Sequence, residues 1–290
     1  MIRIKAIALI HLSNVLFAAT ALLLALPLIT FDGWFTSFCR FAVGLLFGLG
    51  QLAVTRTPLR VTRWRPWLGR AVFGALAMTL YFISIDLGSP ARASLFNNSF
   101  PLFVALIAIF ILRERVSLKT VIGLVLSFAG VIMVRYDGTP GTLIADLAGL
   151  ASGILAGVSY HFNKEAARTE HPVVIYLGVC GFGIILNLFS LPQALQLTLL
   201  ASLILAGAAL AAYWAQITLT MGLRDLPTTE GSIHTFMKIP LTALAAWLLL
   251  DDRLNLAFIG GTALLILGLS LNQGAKRQTT SDPEQRSQHD

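Results

Sequence analysis

Long apolar runs separated by short polar connectors dominate this chain. At 1.5 Å rise per residue, each run is long enough for a helix to cross a hydrocarbon core of about 30 Å. Backbone polar groups in lipid must bond within their own segment, so the pattern predicts ten transmembrane helices. They cover approximately residues 4–28, 34–54, 67–87, 90–112, 118–134, 146–166, 172–192, 197–221, 227–250 and 254–272.

The composition agrees with this pattern and excludes a soluble globule. Hydrophobic residues make up 56% of the 290 residues and charged residues 12%, whereas soluble proteins carry about 25% charged residues. Polar His11, Ser13 and Asn14 interrupt the first run, so we expect it to remain as a span and not to be cleaved as a signal peptide. Residues 274–290 are polar without apolar periodicity, and we expect a disordered cytoplasmic tail there.

The basic residues are distributed unevenly between the two sides of the predicted membrane. With the N-terminus in the cytoplasm, sixteen of the 21 face the cytoplasm, three face the other side, and Arg40 and Lys238 fall inside spans. This asymmetry follows the positive-inside rule and predicts that both termini are cytoplasmic. It also accounts for most of the net charge of +7, so no nucleic-acid partner is expected. Cys39 and Cys180 have no metal-site spacing, and neither a metal nor a cofactor is predicted.

Residues 97–134 and 236–271 share an ordered set of features. In each, a proline is followed by an acidic–basic pair and then by two glycines. The acid lies nine residues before the first glycine in both copies, and the glycines are seven residues apart in both. The matching residues are Pro101, Glu114, Arg115, Gly123 and Gly130 in the first copy, and Pro240, Asp252, Arg253, Gly261 and Gly268 in the second.

The repetition predicts a duplication of five spans plus five, with repeats at 1–139 and 140–273. A unit of five spans ends on the opposite side from its start, so the second copy is inverted, as in many secondary transporters. The fold class is therefore an all-α polytopic membrane protein with ten helices in an inverted 5+5 repeat. We expect each proline to kink its helix and the glycines to let helices approach closely.

These features resemble the EamA-domain transporters of the drug/metabolite transporter superfamily. The resemblance rests on the run Asn97-Asn98-Ser99-Phe100-Pro101 with Glu114, Gly123 and Gly130, repeated around Pro240, and covers residues 4–272. It implies a basket of ten helices that exports small metabolites across a bacterial inner membrane. Members of the family handle amino acids, purines, sugars, cofactors and metallophores, so the substrate stays open. Asp252 stands where the family more often has glutamate.

Two basic residues lie at membrane depth, where a charge costs about 3 kcal/mol on insertion scales. Lys238 lies midway along the ninth span, on one helical stripe with Glu230 and His234, and Arg40 lies six residues into the second span. We expect Lys238 and Arg40 to bind a carboxylate or another anion of the substrate.

The alternative is that these charges form structural ion pairs. Lys238 would then pair with Glu230, and Arg40 or Arg92 would pair with Asp86 at the end of the third span. Proton coupling would need groups that titrate near physiological pH, and the candidates are Glu230, His234 and Asp86, together with His11 and His161. A uniporter would need none of them.

Uncharged polar residues on other spans are expected to line the same cavity, which favours a moderately polar substrate. Alternatively, such side chains bond only their own or a neighbouring helix. The binding residues predicted besides Lys238 and Arg40 are His11, Asn14, Tyr81, Asn97, Asn98, Ser159, Asn163, Tyr213, Gln216 and His234.

Together these observations predict a secondary transporter that works by alternating access and requires no oligomer. It would export a carboxylate-bearing metabolite, such as an amino acid, a derivative or an opine-type metallophore. One alternative is a multidrug or lipophilic-cation exporter, which the positive intramembrane charge disfavours. Another is an integral-membrane enzyme, for which we find no nucleophile motif or metal-spaced cluster. The chain has no phosphate loop ending in Gly-Lys-Ser/Thr, so it would not hydrolyse ATP by itself.

Overall fold

A computed structural model describes residues 2–24, 26, 31–110, 118–135, 142–226, 234–235, 237–250 and 255–273. Throughout these ranges, every regular element is a helix. Six helices are long and apolar enough to cross a membrane, the fifth of them when its 3-10 extension is included. They are α1 (Ile2–Leu24), α2 (Gly33–Thr55), α3 (Trp64–Leu87), α7 (Leu143–Ala166), α8 (Pro172–Asn187, extended by a 3-10 helix at Leu188–Gln196) and α9 (Leu199–Arg224).

The predicted fourth span is broken into two helices. Ser89 caps α4 (Pro90–Asn98) by accepting a hydrogen bond from the backbone N–H of Arg92. After Ser99 the chain continues as α5 (Phe100–Phe110). Pro101 lacks an N–H and its ring displaces the carbonyl four residues earlier, which explains the interruption. The remaining helices are α6 (Leu118–Arg135), α10 (Lys238–Leu250) and α11 (Leu256–Gln273).

Helix packing follows the duplication. Spans one to five correspond to α1, α2, α3, α4–α5 and α6, and spans six to ten correspond to α7, α8, α9, α10 and α11. The contact of α3 with α7 is matched by that of α9 with α1, and the contact of α4 with α7 by that of α10 with α1. Equivalent helices also pack on each other, as α2 does on α8, α4 on α10 and α6 on α11. The two halves are therefore related by a pseudo-two-fold axis.

The repeated glycines hold α6 and α11 in close contact. A Cβ atom on Gly130 would overlap the backbone oxygen of Gly261, and one on Gly268 would overlap the backbone oxygen of Gly123. The predicted close approach is confirmed. Because the earlier glycine of each helix faces the later glycine of the other, α6 and α11 run antiparallel, and the second half is inverted.

Large apolar side chains cover the outward faces of the spans. Leu46 is 69% exposed, Ile185 72% and Leu203 62%, which only a lipid environment accommodates on this scale. The predicted tail at 274–290 lies outside the described residues, as do Glu114–Arg115 and Asp252–Arg253.

Candidate functional site

A cavity of about 120 Å³ lies between the two halves. Helices α1 to α5, α7, α9 and α10 contribute to its wall, together with Thr235, which precedes α10. Of the twelve residues predicted to bind substrate, the structure places eight in this wall. They are Asn14, Arg40, Tyr81, Asn97, Asn98, Asn163, Gln216 and Lys238.

Lys238 is 7% exposed and begins α10. Its Nζ lies 4.7 Å from the ring centre of Phe17 and 5.0 Å from that of Tyr81. No carboxylate in the described ranges forms an ion pair with it. Glu230, the partner proposed from the sequence, lies outside the described residues. The neighbours of this ammonium group are thus aromatic faces, which attract a cation without neutralising it.

Arg40 is 4% exposed and lies on α2 beside α3. Its Nη1 donates to the sulfur of Met78 at 2.7 Å, and its Cζ lies 5.3 Å from the ring centre of Phe82. Its Nε is buried without a hydrogen-bond partner. The guanidinium group therefore keeps donor capacity at the cavity.

Asp86 does not pair with either arginine. It is exposed at the end of α3, and its Oδ2 accepts a hydrogen bond from the backbone N–H of Gly33 at 3.1 Å. Arg92 instead pairs with Asp146, from Nη2 to Oδ2 at 2.9 Å and Oδ1 at 3.0 Å, with both side chains buried. The interpretation that Arg40 or Arg92 pairs with Asp86 is wrong. The pair that forms joins α4 to α7, and so links the two repeats.

Arg70 also lines the cavity, although the charge distribution predicts it to be one of the sixteen bases on the cytoplasmic side. It is 8% exposed, and its Nη1 donates to Ser159 Oγ at 2.6 Å. A Cβ atom on Gly74 would lie 2.9 Å from the same Nη1, so the side chain runs along α3 towards the centre of the membrane. Its position inside the predicted span 67–87 was the signal that could have found it.

Four predicted binding residues lie outside the cavity wall. Ser159 holds Arg70 as described, and Tyr213 donates from its hydroxyl to Gln51 Oε1. The rings of His11 and His234 meet edge to face, with centres 5.1 Å apart.

The asparagine side chains of the wall differ in their hydrogen-bond partners. Asn14 Nδ2 donates to the backbone oxygen of His234 at 2.6 Å, and Asn97 Nδ2 donates to Ser152 Oγ at 2.5 Å. Asn98 Nδ2 bonds its own helix at the oxygen of Ser94, as the alternative for such residues predicted. Asn163 is 4% exposed, and its Oδ1 is buried without a partner. It can accept a hydrogen bond from a ligand.

At each end of the bundle, a carboxylate in a connector accepts hydrogen bonds from the other half of the molecule. At one end, Glu170 accepts from the backbone N–H groups of Thr62 and Arg63 at 2.9 and 2.8 Å. Burial raises the pKa of this carboxyl, but these hydrogen bonds outweigh it and leave the pKa below its usual value. At the other end, Gln193 Nε2 donates to Asp32 Oδ2 at 2.7 Å. Each acid joins the connector before α8 or α2 to the other half of the molecule.

Two inverted helical repeats around a central cavity define a polytopic membrane protein with the architecture of secondary transporters. The family model of the EamA-like transporters matches residues 4–136 and 143–273, and the chain belongs to this family. The resemblance inferred from the sequence is confirmed, and the protein is a membrane transporter.

Similar proteins agree with this assignment. A protein of Archaeoglobus fulgidus named as an uncharacterized transporter is 23% identical over 71% of this chain and 78% of its own. Another uncharacterized transporter, from Helicobacter pylori, is 27% identical over 33% of this chain and 36% of its own. One solved crystal structure is 21% identical and covers 92% of this chain and 97% of its own, with a TM-score of 0.63. That structure shares the fold.

Proposed function

We propose that the protein exports a small, carboxylate-bearing metabolite across the bacterial inner membrane by alternating access. The observation that carries this proposal is the set of three buried bases at the cavity, Arg40, Arg70 and Lys238. Within the described part of the wall, no aspartate or glutamate accompanies them. Burying a charge without a counter-charge is costly, so an anion is the ligand that this wall would bind most favourably.

The broken helices support a binding role for the same place. Asn97, Asn98 and Phe100 flank the interruption between α4 and α5, and Lys238 begins α10 in the equivalent span. Discontinuous helices at the interface of inverted repeats are where transporters typically bind substrate. The cavity is smaller than the roughly 300–1,000 Å³ of sites for drug-sized ligands, and a lipophilic cation would meet like charge. Both points favour a small anion over the multidrug alternative.

The distribution of basic residues supports an orientation with both termini in the cytoplasm. Exchange of the two halves' conformations would then open the cavity to one side and afterwards to the other. The contacts of Glu170 and Asp32 lie at opposite ends of the bundle, where such an exchange would make and break them.

Proton coupling is a further part of the proposal. The rings of His11 and His234 meet beside the cavity, and the backbone oxygen of His234 bonds Asn14 in its wall. Histidine is the side chain suited to proton coupling near neutral pH, and the backbone of His234 links this pair to the wall. If coupling uses protons, an uncoupler stops efflux against a gradient, whereas efflux that persists unchanged contradicts it.

The test of function is a metabolite profile of cells lacking the gene. We expect the deletion strain to retain an anionic metabolite, wild-type protein to restore its efflux, and Lys238→Ala to fail at equal membrane abundance. Arg60→Gln is the matched control, because Arg60 is an exposed base in the connector between α2 and α3 and does not line the wall. Retention of only neutral or cationic compounds, or full efflux by Lys238→Ala, would contradict the proposal.

A further inference from the structure

The three bases of the wall form a row along α3, which we call the cationic row (Arg70, Arg40 and Lys238). The guanidinium of Arg70 reaches the level of Gly74. Arg40 contacts α3 at Met78 and Phe82, and Lys238 contacts it at Tyr81. At 1.5 Å per residue, Met78 lies about 6 Å along the helix from Gly74, and Tyr81 lies about 10.5 Å from it. The positive groups are therefore spread along the cavity and not gathered at one point.

Among the described residues, each member of the row makes its direct contacts with neutral groups. Arg70 bonds a hydroxyl, Arg40 bonds a thioether, and Lys238 lies over two aromatic rings. The charge of Arg40 also repels those of Arg70 and Lys238. In addition, Lys238 lies at the N-terminus of α10, the helix end that itself attracts negative charge. A single negative charge would compensate only part of this field.

The row keeps unused donors for a ligand. Both Arg40 and Arg70 are more than nine-tenths buried, and the Nε of each has no hydrogen-bond partner. A guanidinium group binds a carboxylate or phosphate through two parallel hydrogen bonds, whereas an ammonium group acts as a point charge. The row thus offers a forked site at one end and a point charge at the other.

We infer that the transported substrate is a small organic dianion whose two charges lie on separate groups, as in a dicarboxylate. One anionic group binds between Arg70 and Arg40, and the second negative charge lies near Lys238. A substrate ammonium group would add a positive charge, and the described part of the wall holds no carboxylate to receive it. This inference rests on the proposed function and narrows its substrate to anions without a free amine.

Matched pairs of compounds that differ by one charge test the inference. Succinate is compared with succinamate, and glutarate with glutaramate. Binding to the purified full-length chain in detergent is measured as a Kd from thermal stabilisation. In at least one pair we expect the dianion to bind about tenfold or more tightly than the monoanion, as a charge-assisted contact provides. The pair with the greater preference identifies the spacing of the two carboxylates that fits the row.

Variants identify the residue responsible. Lys238→Gln should reduce the dianion preference to within about twofold, Lys238→Arg should retain it, and the control Arg60→Gln should leave it unchanged. Equal binding of dianion and monoanion by the wild type in every pair would overturn the dianion inference and leave anion transport standing. If no anion of either charge binds, both this inference and the proposed function fail.

Discussion

Ser159 shows how a neutral side chain sets the position of a functional charge. Its hydroxyl accepts from Arg70 Nη1 and lies within 3.4 Å of the backbone oxygen of the same residue. The hydroxyl therefore joins α7 of the second repeat to a base of the first. Ser159 thus positions Arg70 and does not itself line the cavity.

Ser159→Ala should weaken substrate binding without loss of the protein. A hydrogen bond to a charged group contributes about 1.5–3 kcal/mol, and this one holds Arg70 at the wall, so we expect KM to rise about tenfold or more at equal amounts of folded protein. Transport kinetics in proteoliposomes measure this. Ser202→Ala is the control, because the Ser202 hydroxyl bonds the carbonyl of Thr198 on the surface. An unchanged KM in Ser159→Ala would show that Arg70 does not depend on this contact.

At the residue scale, part of the site could be predicted from the charged residues that lie inside the predicted spans. Arg40 and Lys238 stand out because each interrupts an apolar run, and both line the cavity. Arg70 was missed because a base near the end of a span also fits the positive-inside pattern. Asp146 was missed because its pairing with Arg92 depends on how α4 packs on α7, which spacing along the chain does not encode.

At the scale of the helices, glycine contacts decide how closely the fifth and tenth spans pack. The added methyl group in Gly268→Ala would meet backbone atoms of α6, which cannot move aside as a side chain can. We expect a loss of about 1–3 kcal/mol of stability, typical of overpacking. Thermal unfolding in detergent measures it.

Gly207→Ala provides the matched control for this prediction. A Cβ atom on Gly207 would meet nothing within 4 Å, and alanine favours a helix by about 1 kcal/mol over glycine. This variant should be as stable as the wild type or more so. If Gly268→Ala unfolds at the same temperature as Gly207→Ala, α6 and α11 do not pack as described.

The connector between α7 and α8 gives a pH-dependent prediction. The pKa of Glu170 is lowered in the folded chain, so its ionised form stabilises the fold above the ordinary glutamate pKa of about 4.3. That stabilisation is lost as the pH falls through the folded-state pKa. Glu170→Gln should therefore unfold at a lower temperature than the wild type at pH 7, and the difference should shrink in acid.

Glu165→Gln is the control for the pH series. Glu165 is an exposed carboxylate whose partners are the surface residues Arg63 and Arg168, and such pairs contribute about 0–1 kcal/mol. Its unfolding temperature should stay close to that of the wild type at every pH. A Glu170→Gln difference that persists undiminished at low pH would rule out the ionised carboxylate as its source.

At the scale of the whole molecule, the duplication made the architecture predictable. Ten apolar runs and the repeated proline, acid and glycine spacing indicated an inverted 5+5 fold, and the antiparallel packing of α6 and α11 confirms it. The break between α4 and α5 was anticipated only as a kink at Pro101. Spacing along the chain does not encode the contacts of α4 with α7 and α10, which form only in the assembled bundle.

The fold also explains why a chain with few charges concentrates its chemistry in one place. The outward faces are apolar, the two ends carry the connector contacts of Glu170 and Asp32, and the cationic row lies between the repeats. A movement that exchanges the conformations of the two halves would carry an anion held by this row from one side to the other.

Efflux of the retained anionic metabolite from loaded proteoliposomes tests the central claim most directly. Wild type, Lys238→Ala and Arg60→Gln are compared at equal amounts of folded protein. We predict that Arg60→Gln transports within about twofold of the wild type, because a screened surface charge contributes little. We predict that efflux by Lys238→Ala falls to the rate of loaded liposomes that contain no protein. Efflux by Lys238→Ala at the wild-type rate would contradict the claim that the cationic row binds the transported anion.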